Sequence, residues 1–377
     1  MHVKSQWERL KAENRLLQQA DLQYKKVERF APLASFVAGF LWDSFTLSRI
    51  DQLTDNLVLL LYLLGLNAAL VLSHLVRVRA LQNPRWIRFE WLYPLGISFF
   101  QGGLFSAYVI YYFQSASLSK NLVFVVFLCG FMLAAEFLKH RLGDIRLQLA
   151  LYFVLTQSFW AFFFPILLHK MGHGVYIFSG IFSFLSLTLL VAFLFRTGAI
   201  QTDRYLYNCL LVGLAMFVSL ESLYLAGWIP PVPLSMKSAG VYHTVEKKWD
   251  RYRLGYEPAK WYQPWHTADP VFHFAPPDDQ LVGFFSIFAP QGIEQGIVET
   301  WLWFDPELDG WRLMDTHKYQ IQGGRDGGWR TYYIKKQIAD GLWKVELKNQ
   351  SSRLVGRVEF EVQQSRQQKR AFKYVLR

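Results

Sequence analysis

Seven apolar stretches of membrane-spanning length fill residues 30–228, and so many in succession leave a chain few ways to fold. They run Phe30–Ser48, Leu57–Val76, Leu92–Phe113, Leu122–Leu138, Leu149–Leu168, Val175–Phe195 and Leu206–Trp228. A helix rises 1.5 Å per residue and the hydrocarbon core is about 30 Å thick, so about 20 apolar residues make one crossing. Lipid offers the backbone no hydrogen bonds, so these stretches are expected to be helices. Stretches such as Leu57–Ala69 have no polar face for water, which disfavours a soluble helical domain.

Lys and Arg orient the bundle. Sixteen lie in the N-terminal tail and the second, fourth and sixth connections, against three (Arg49, Lys120, Lys170) in the others. The positive-inside rule then places the N-terminus in the cytoplasm, and seven crossings send the C-terminal tail to the other side. The first stretch follows a long charged segment and has no small-residue cleavage site, so it reads as an uncleaved anchor. The net charge of +11 divides into +7 before residue 229 and +4 after it. Much of it is topological and does not argue for a nucleic-acid partner. Both cysteines, Cys129 and Cys209, fall inside predicted spans, so the tail must fold without disulfides.

Residues 1–29 carry Val3, Trp7, Leu10, Leu17, Tyr24 and Val27 near heptad spacing. One amphipathic helix is expected there, on the inner leaflet or simply continuing the first span. Residues 229–237 begin Ile-Pro-Pro-Val-Pro-Leu-Ser, which reads as a stiff extended strut. Within residues 238–377 the period changes to two, as in Leu342–Lys348 and Val358–Val362. Further strands are expected at Val282–Phe288, Ile297–Phe304, Leu313–Ile321 and Trp329–Ile334. The fold class is therefore a seven-helix membrane bundle followed by an all-β, immunoglobulin-like antiparallel sandwich.

Gly323, Gly324, Arg325 and Gly328 belong to a glycine-rich loop that resembles a phosphate cradle only in composition. No helix pattern follows it, so a hairpin connection is expected. Eight tryptophans lie between Trp249 and Trp343. Trp343, on an alternating strand, reads as core. Trp249, Trp261 and Trp265, with Tyr262, lie in an irregular stretch and form either a binding platform for sugar rings or lipid headgroups, or a plug for one end of the sandwich.

Several of these segments look like one family. Ile229–Lys237, Ser286–Pro290, Gly323–Arg325 leading to Trp329–Tyr332, and Gly341–Val345 resemble the C-terminal domain of unknown function 2914 of bacterial proteins. The helices resemble the multi-span segment that precedes it in some members. The resemblance implies a multi-pass bacterial inner-membrane protein with a periplasmic domain, and it brings no catalytic residue. The chain departs from the pattern at Glu299-Thr300-Trp301, where relatives often carry a His before the Trp.

Ionisable groups inside spans are costly and invite a functional reading. Asp43 and Glu221 fall at similar depths in the outer half, where they could form a proton or cation site or serve as interhelical hydrogen-bond glue. Glu136 precedes Lys139 and His140 by three and four residues, which fits a local ion pair. His169 and His173 lie four apart but lack a third ligand in sequence. No metal, cofactor or nucleophile–base pattern is expected. The chain reads as a non-enzymatic protein that displays its β domain to an envelope protein or glycan. The alternatives are a proton- or cation-coupled transporter using Asp43 and Glu221, and a membrane sensor.

Overall fold

In a computed structural model, the structure describes residues 52–80, 86–87, 89, 92–116, 120–137, 144–258, 267–275, 279–325, 327–365 and 371–377. Six long helices lie among them: α1 (Leu53–Arg77), α2 (Leu92–Ser115), α3 (Lys120–Phe137), α4 (Ile145–Leu168), α5 (His173–Arg196) and α6 (Asp203–Leu225). Each matches one predicted span to within a few residues. The sequence leads one to expect seven, and six are seen; Phe30–Ser48, Asp43 and the amphipathic segment 1–29 lie outside the described residues. Among the described residues four helices, α1, α4, α5 and α6, are long and apolar enough to cross a membrane by length and composition.

The distribution of side chains is that of a bundle solvated by lipid. Leu61, Phe99, Leu189 and Leu211 are more than 60% exposed, while Gln101, Gln148, Thr156 and Gln157 are buried. Water would favour the reverse arrangement. Inside, His74 Nε2 meets Gln148 Oε1 at 2.8 Å, and the Asn67 amide donates to the Tyr152 hydroxyl at 3.2 Å. Such bonds join helices where apolar burial offers no gain over lipid. α4 is the central helix, with 72% of its apolar stretch buried against 22–39% for the other three. Its Phe162 packs against Tyr108, Tyr111 and Tyr112 of α2.

Eleven strands follow among the described residues: β1 (Ser235–Tyr242), β2 (Thr244–Lys248), β3 (Arg251–Tyr256), β4 (Val271–Phe274), β5 (Leu281–Phe288), β6 (Glu294–Asp305), β7 (Gly310–Gln322), β8 (Trp329–Lys335), β9 (Gly341–Asn349), β10 (Leu354–Gln364) and β11 (Lys373–Leu376). They form three sheets, ordered β1-β5-β8, β4-β10-β9-β6-β7 and β11-β3-β2. Two of these enclose the main core, which holds Phe285, Ile287, Trp301, Trp343, Val345 and Phe360. The expected two-sheet antiparallel sandwich therefore needs two corrections. A third sheet covers the outer face of the first, and β4 pairs with β10 in parallel. The cause is visible in β5, Leu-Val-Gly-Phe-Phe-Ser-Ile-Phe, which is buried at all eight positions. Leu281, Phe285 and Ile287 face the main core, while Val282 and Phe284 face Leu254 under the small sheet. A strand apolar on both faces needs cover on both.

The proline-rich linker is not a spacer. Ile229 and Val232 are buried in the helical core together with Phe288 of β5, and Leu234 is buried in the β core. From the β9–β10 turn, Arg353 donates to the carbonyls of Ile229 (3.4 Å) and Tyr224, and its guanidinium lies 3.6 Å from the Tyr224 ring centroid. His169, in a left-handed conformation after α4, lies against Gly292. Apolar residues within the proline run docked the domain instead of holding it away.

Candidate functional site

Among the described residues, the two main sheets end along one edge of the sandwich on β7 and β8, each paired on one side only. Side chains along that edge alternate by strand geometry, so residues two apart share a face. On β7 the half-buried Asp315, His317 and Tyr319 alternate with the exposed Thr316, Lys318 and Gln320. On β8, Trp329, Thr331, Tyr333 and Lys335 stand opposite Ile287, Phe285, Gly283 and Leu281 of β5, on the core side. Behind them, Glu299 and Trp301 of β6 pair with His317 and Asp315.

An aromatic and charged seam results where aliphatic residues would suffice for a core. His317 and Tyr333 rings lie 4.0 Å apart, Tyr319 and Trp329 5.6 Å, and Trp301 and Tyr333 5.8 Å. Lys335 pairs with Asp315 and holds its ammonium 5.5 Å from the Trp301 ring and 5.4 Å from that of Trp343. Trp301 reaches right across the sandwich. A Cβ at Gly283 would come within 2.7 Å of its ring, so glycine is required there for the sheets to close.

Glu299 is fully buried and accepts the Trp301 indole N–H at 2.5 Å through Oε1. Its Oε2 and the Nε2 of the neighbouring His317 make no hydrogen bond. Burial pushes the Glu299 carboxyl above its usual range, against the pull of the indole donor. Burial likewise pushes the Tyr319 hydroxyl far up. A neutral carboxyl can donate a hydrogen bond from its second oxygen, which a carboxylate cannot. Glu299 is at 0% exposure, the rings of His317, Tyr319, Trp329 and Tyr333 around it are partly buried, and the Lys335 side chain keeps 11% exposure.

The residues singled out from sequence fall elsewhere. Trp249 sits at the tip of the β2–β3 turn, 92% exposed with φ 58°, and plugs nothing. Trp261, Tyr262 and Trp265 lie outside the described residues, as does the side chain of Glu136. Part of the supposedly irregular stretch is strand β3, whose Tyr252 packs on Phe284 and Tyr332. Gly323, Gly324, Arg325 and Gly328 do not close a hairpin: β7 and β8 belong to different sheets, and the loop is the corner between them. Gly324 and Gly328 supply φ of 105° and 76°, and a Cβ at Gly323 would lie 1.9 Å from the Pro290 carbonyl oxygen. This corner fixes β7 and β8 on either side of the seam. Glu221 is buried between α5 and α6, and neither carboxyl oxygen makes a hydrogen bond among the described residues. His173 stacks on Tyr224 at 5.6 Å, beside the linker.

Residues 294–362, which run from β6 into β10 and include most of the seam, match the model of the family described as protein of unknown function (DUF2914). This is the family that the sequence resembles. No curated protein matches the chain. One solved structure, the Pseudomonas fluorescens alkylpurine DNA glycosylase AlkC bound to DNA containing an abasic site analog, aligns with 78% of this chain and 76% of its own. Its identity of 10% and TM-score of 0.19 carry no argument about fold or function.

Proposed function

We propose that the helices embed the chain in a bacterial inner membrane with the N-terminus in the cytoplasm, and hold the β domain on the periplasmic side. There the β7–β8 seam binds an envelope component through stacking and charge. The lining of the seam carries this reading: His317, Tyr319, Trp329, Tyr333 and Lys335 line an edge that no further strand closes among the described residues. Flat rings with a cation among them suit a sugar ring or another amphipathic ring, because stacking tolerates many ligands while polar edges choose among them. The charge asymmetry of the connections supports the orientation. The buried position of Glu299 favours recognition over acid–base catalysis. The test is titration of the full chain in detergent with N-acetylglucosamine oligosaccharides, read by tryptophan emission. A saturable change that Tyr333→Ala abolishes supports the proposal. No change, or one that Tyr333→Ala leaves intact, removes the seam as a glycan site.

Glu221 favours a second reading, a proton- or cation-coupled carrier, because a buried acid with both oxygens unbonded is costly in a span. Unaltered proton-linked uptake into proteoliposomes after Glu221→Gln and Asp43→Asn would eliminate it.

A further inference from the structure

The joint between the helices and the β domain holds a cavity of about 720 Å³, within the range of about 300–1,000 Å³ that small-ligand sites occupy. One wall is the end of α6 and the linker, at Leu225, Gly227 and Ile229; the other is the β9–β10 turn, at Ser351, Ser352 and Arg353. Arg357 and His173 also line it, so the lining carries two arginines and no carboxylate. The Arg353 guanidinium donates to the neutral carbonyls of Ile229 and Tyr224, and no carboxylate meets it among the described residues. Its charge is therefore uncompensated. Arg357 meets Glu346 at 2.7 Å, but the same carboxylate also takes Lys348 at 2.7 Å, so one acid is divided between two cations. The two serine hydroxyls are exposed, and His173 Nδ1 makes no hydrogen bond. Forked guanidinium donors beside hydroxyls are groups that a phosphate binds. α5 starts at His173 with no capping side chain on Gly172, which adds positive potential.

Free phosphate and a lipid headgroup share this chemistry, and the surface of α6 tells them apart. Leu211, Leu214, Val218 and Leu225 are all exposed, and their spacing sets them along one face of the helix. They form an apolar lane roughly 21 Å long at 1.5 Å per residue. The last of them, Leu225, is itself part of the cavity wall. The partly exposed Trp228 follows within one turn, and indole rings favour the level of lipid headgroups. An acyl chain lying on the lane would carry its own phosphate to the cavity, whereas a free anion would leave the lane without a use.

We propose that this cavity binds the phosphodiester headgroup of an anionic phospholipid, held by Arg353, Arg357 and the Ser351 and Ser352 hydroxyls, with an acyl chain along α6. The bound headgroup ties the end of α6 to the β9–β10 turn, so the lipid helps to seat the β domain on the helices. The site is separate from the β7–β8 seam. It rests on the helices lying in a bilayer and not on which compartment the domain faces. The experiment is native mass spectrometry of the full chain in detergent, titrated with phosphatidylglycerol and, separately, with phosphatidylcholine of the same chains. One phosphatidylglycerol should be retained with at least about tenfold preference, and millimolar inorganic phosphate should not displace it. Ser351→Glu puts a carboxylate at the mouth of the cavity and Arg357→Gln removes a cation, both at exposed positions that leave the Arg353 contacts intact. Each should weaken retention at least about fivefold, the effect of one charge beside an anionic surface. Equal retention of the two lipids, undiminished affinity in either variant, or displacement by inorganic phosphate overturns the proposal. A chain that stays monodisperse without detergent overturns the bilayer reading as well, which separates that failure from a detergent-dependent chain showing no lipid preference.

Discussion

Replacing Arg353 by Ala should loosen the joint between the helices and the β domain. The side chain donates two charge-assisted hydrogen bonds, to the carbonyls of Tyr224 and Ile229, the latter long at 3.4 Å, and covers the Tyr224 ring. A good bond of this kind contributes about 1.5–3 kcal/mol and the ring contact about 0.5–2 kcal/mol. A cavity of 720 Å³ opens beside the residue, so solvent screens both and the lower ends apply. The loss comes to about 2–3 kcal/mol, or roughly a 30- to 150-fold rise in local opening. Amide exchange of the peptide covering residues 226–236, followed by mass spectrometry on the full chain in detergent, reads this opening directly. Within it the Val232 and Leu234 amides bond to the carbonyls of Pro230 and Pro231. Arg357→Ala is the control, because that guanidinium is taken up by Glu346 at 2.7 and 3.1 Å. Unchanged exchange in Arg353→Ala, or equal acceleration by Arg357→Ala, would refute the reasoning.

Two buried carboxyls should make stability respond to pH in opposite directions. Folded Glu299 holds its proton more tightly than the unfolded chain does, so its stabilising contribution is complete below about 4.5 and is lost as pH climbs through the raised folded value. Denaturant unfolding of Glu299→Gln should lack that decline. Glu346 is the reverse case. Burial opposes ionisation, but Lys348 and Arg357 outweigh it and hold the carboxyl below the usual range. Its contribution is present above about 4.5 and is lost as pH falls, so Glu346→Gln should flatten the acid limb. Gly323→Ala should destabilise the β domain by at least about 1–3 kcal/mol, the usual cost of overpacking, since the new methyl meets backbone that cannot rotate away. An unfolding midpoint equal to that of the unsubstituted chain would show that the corner is not the fixed element described.

What could be read from the sequence followed the strength of its periodicity. Unbroken apolar runs located six helices; two-residue alternation located β9 and β10, and runs bounded by turn-rich stretches located β5 to β8, all to within four residues at either end. The other five strands left weak signals. β4 is only four residues long, and β2, Thr-Val-Glu-Lys-Lys, lies on a small sheet with its last three residues in solvent. The glycine corner was recognisable as a turn, but which strands it joins depends on pairing that local sequence does not encode. The seam was hidden for a related reason. Along Asp315–Gln320 both faces of the strand are polar, so alternation cannot say which one turns inward. The departure at Glu299 was a signal of a kind, an acid on a strand otherwise patterned for a core.

In the proposed topology the β domain faces the compartment opposite the N-terminus. Trp249, 92% exposed at a turn tip, is the place to ask. In a chain with Cys129 and Cys209 replaced by Ala, Trp249→Cys should react with a membrane-impermeant maleimide in cells whose outer membrane alone has been permeabilised. Labelling that appears only after the inner membrane is broken would put the domain in the cytoplasm and contradict the topology.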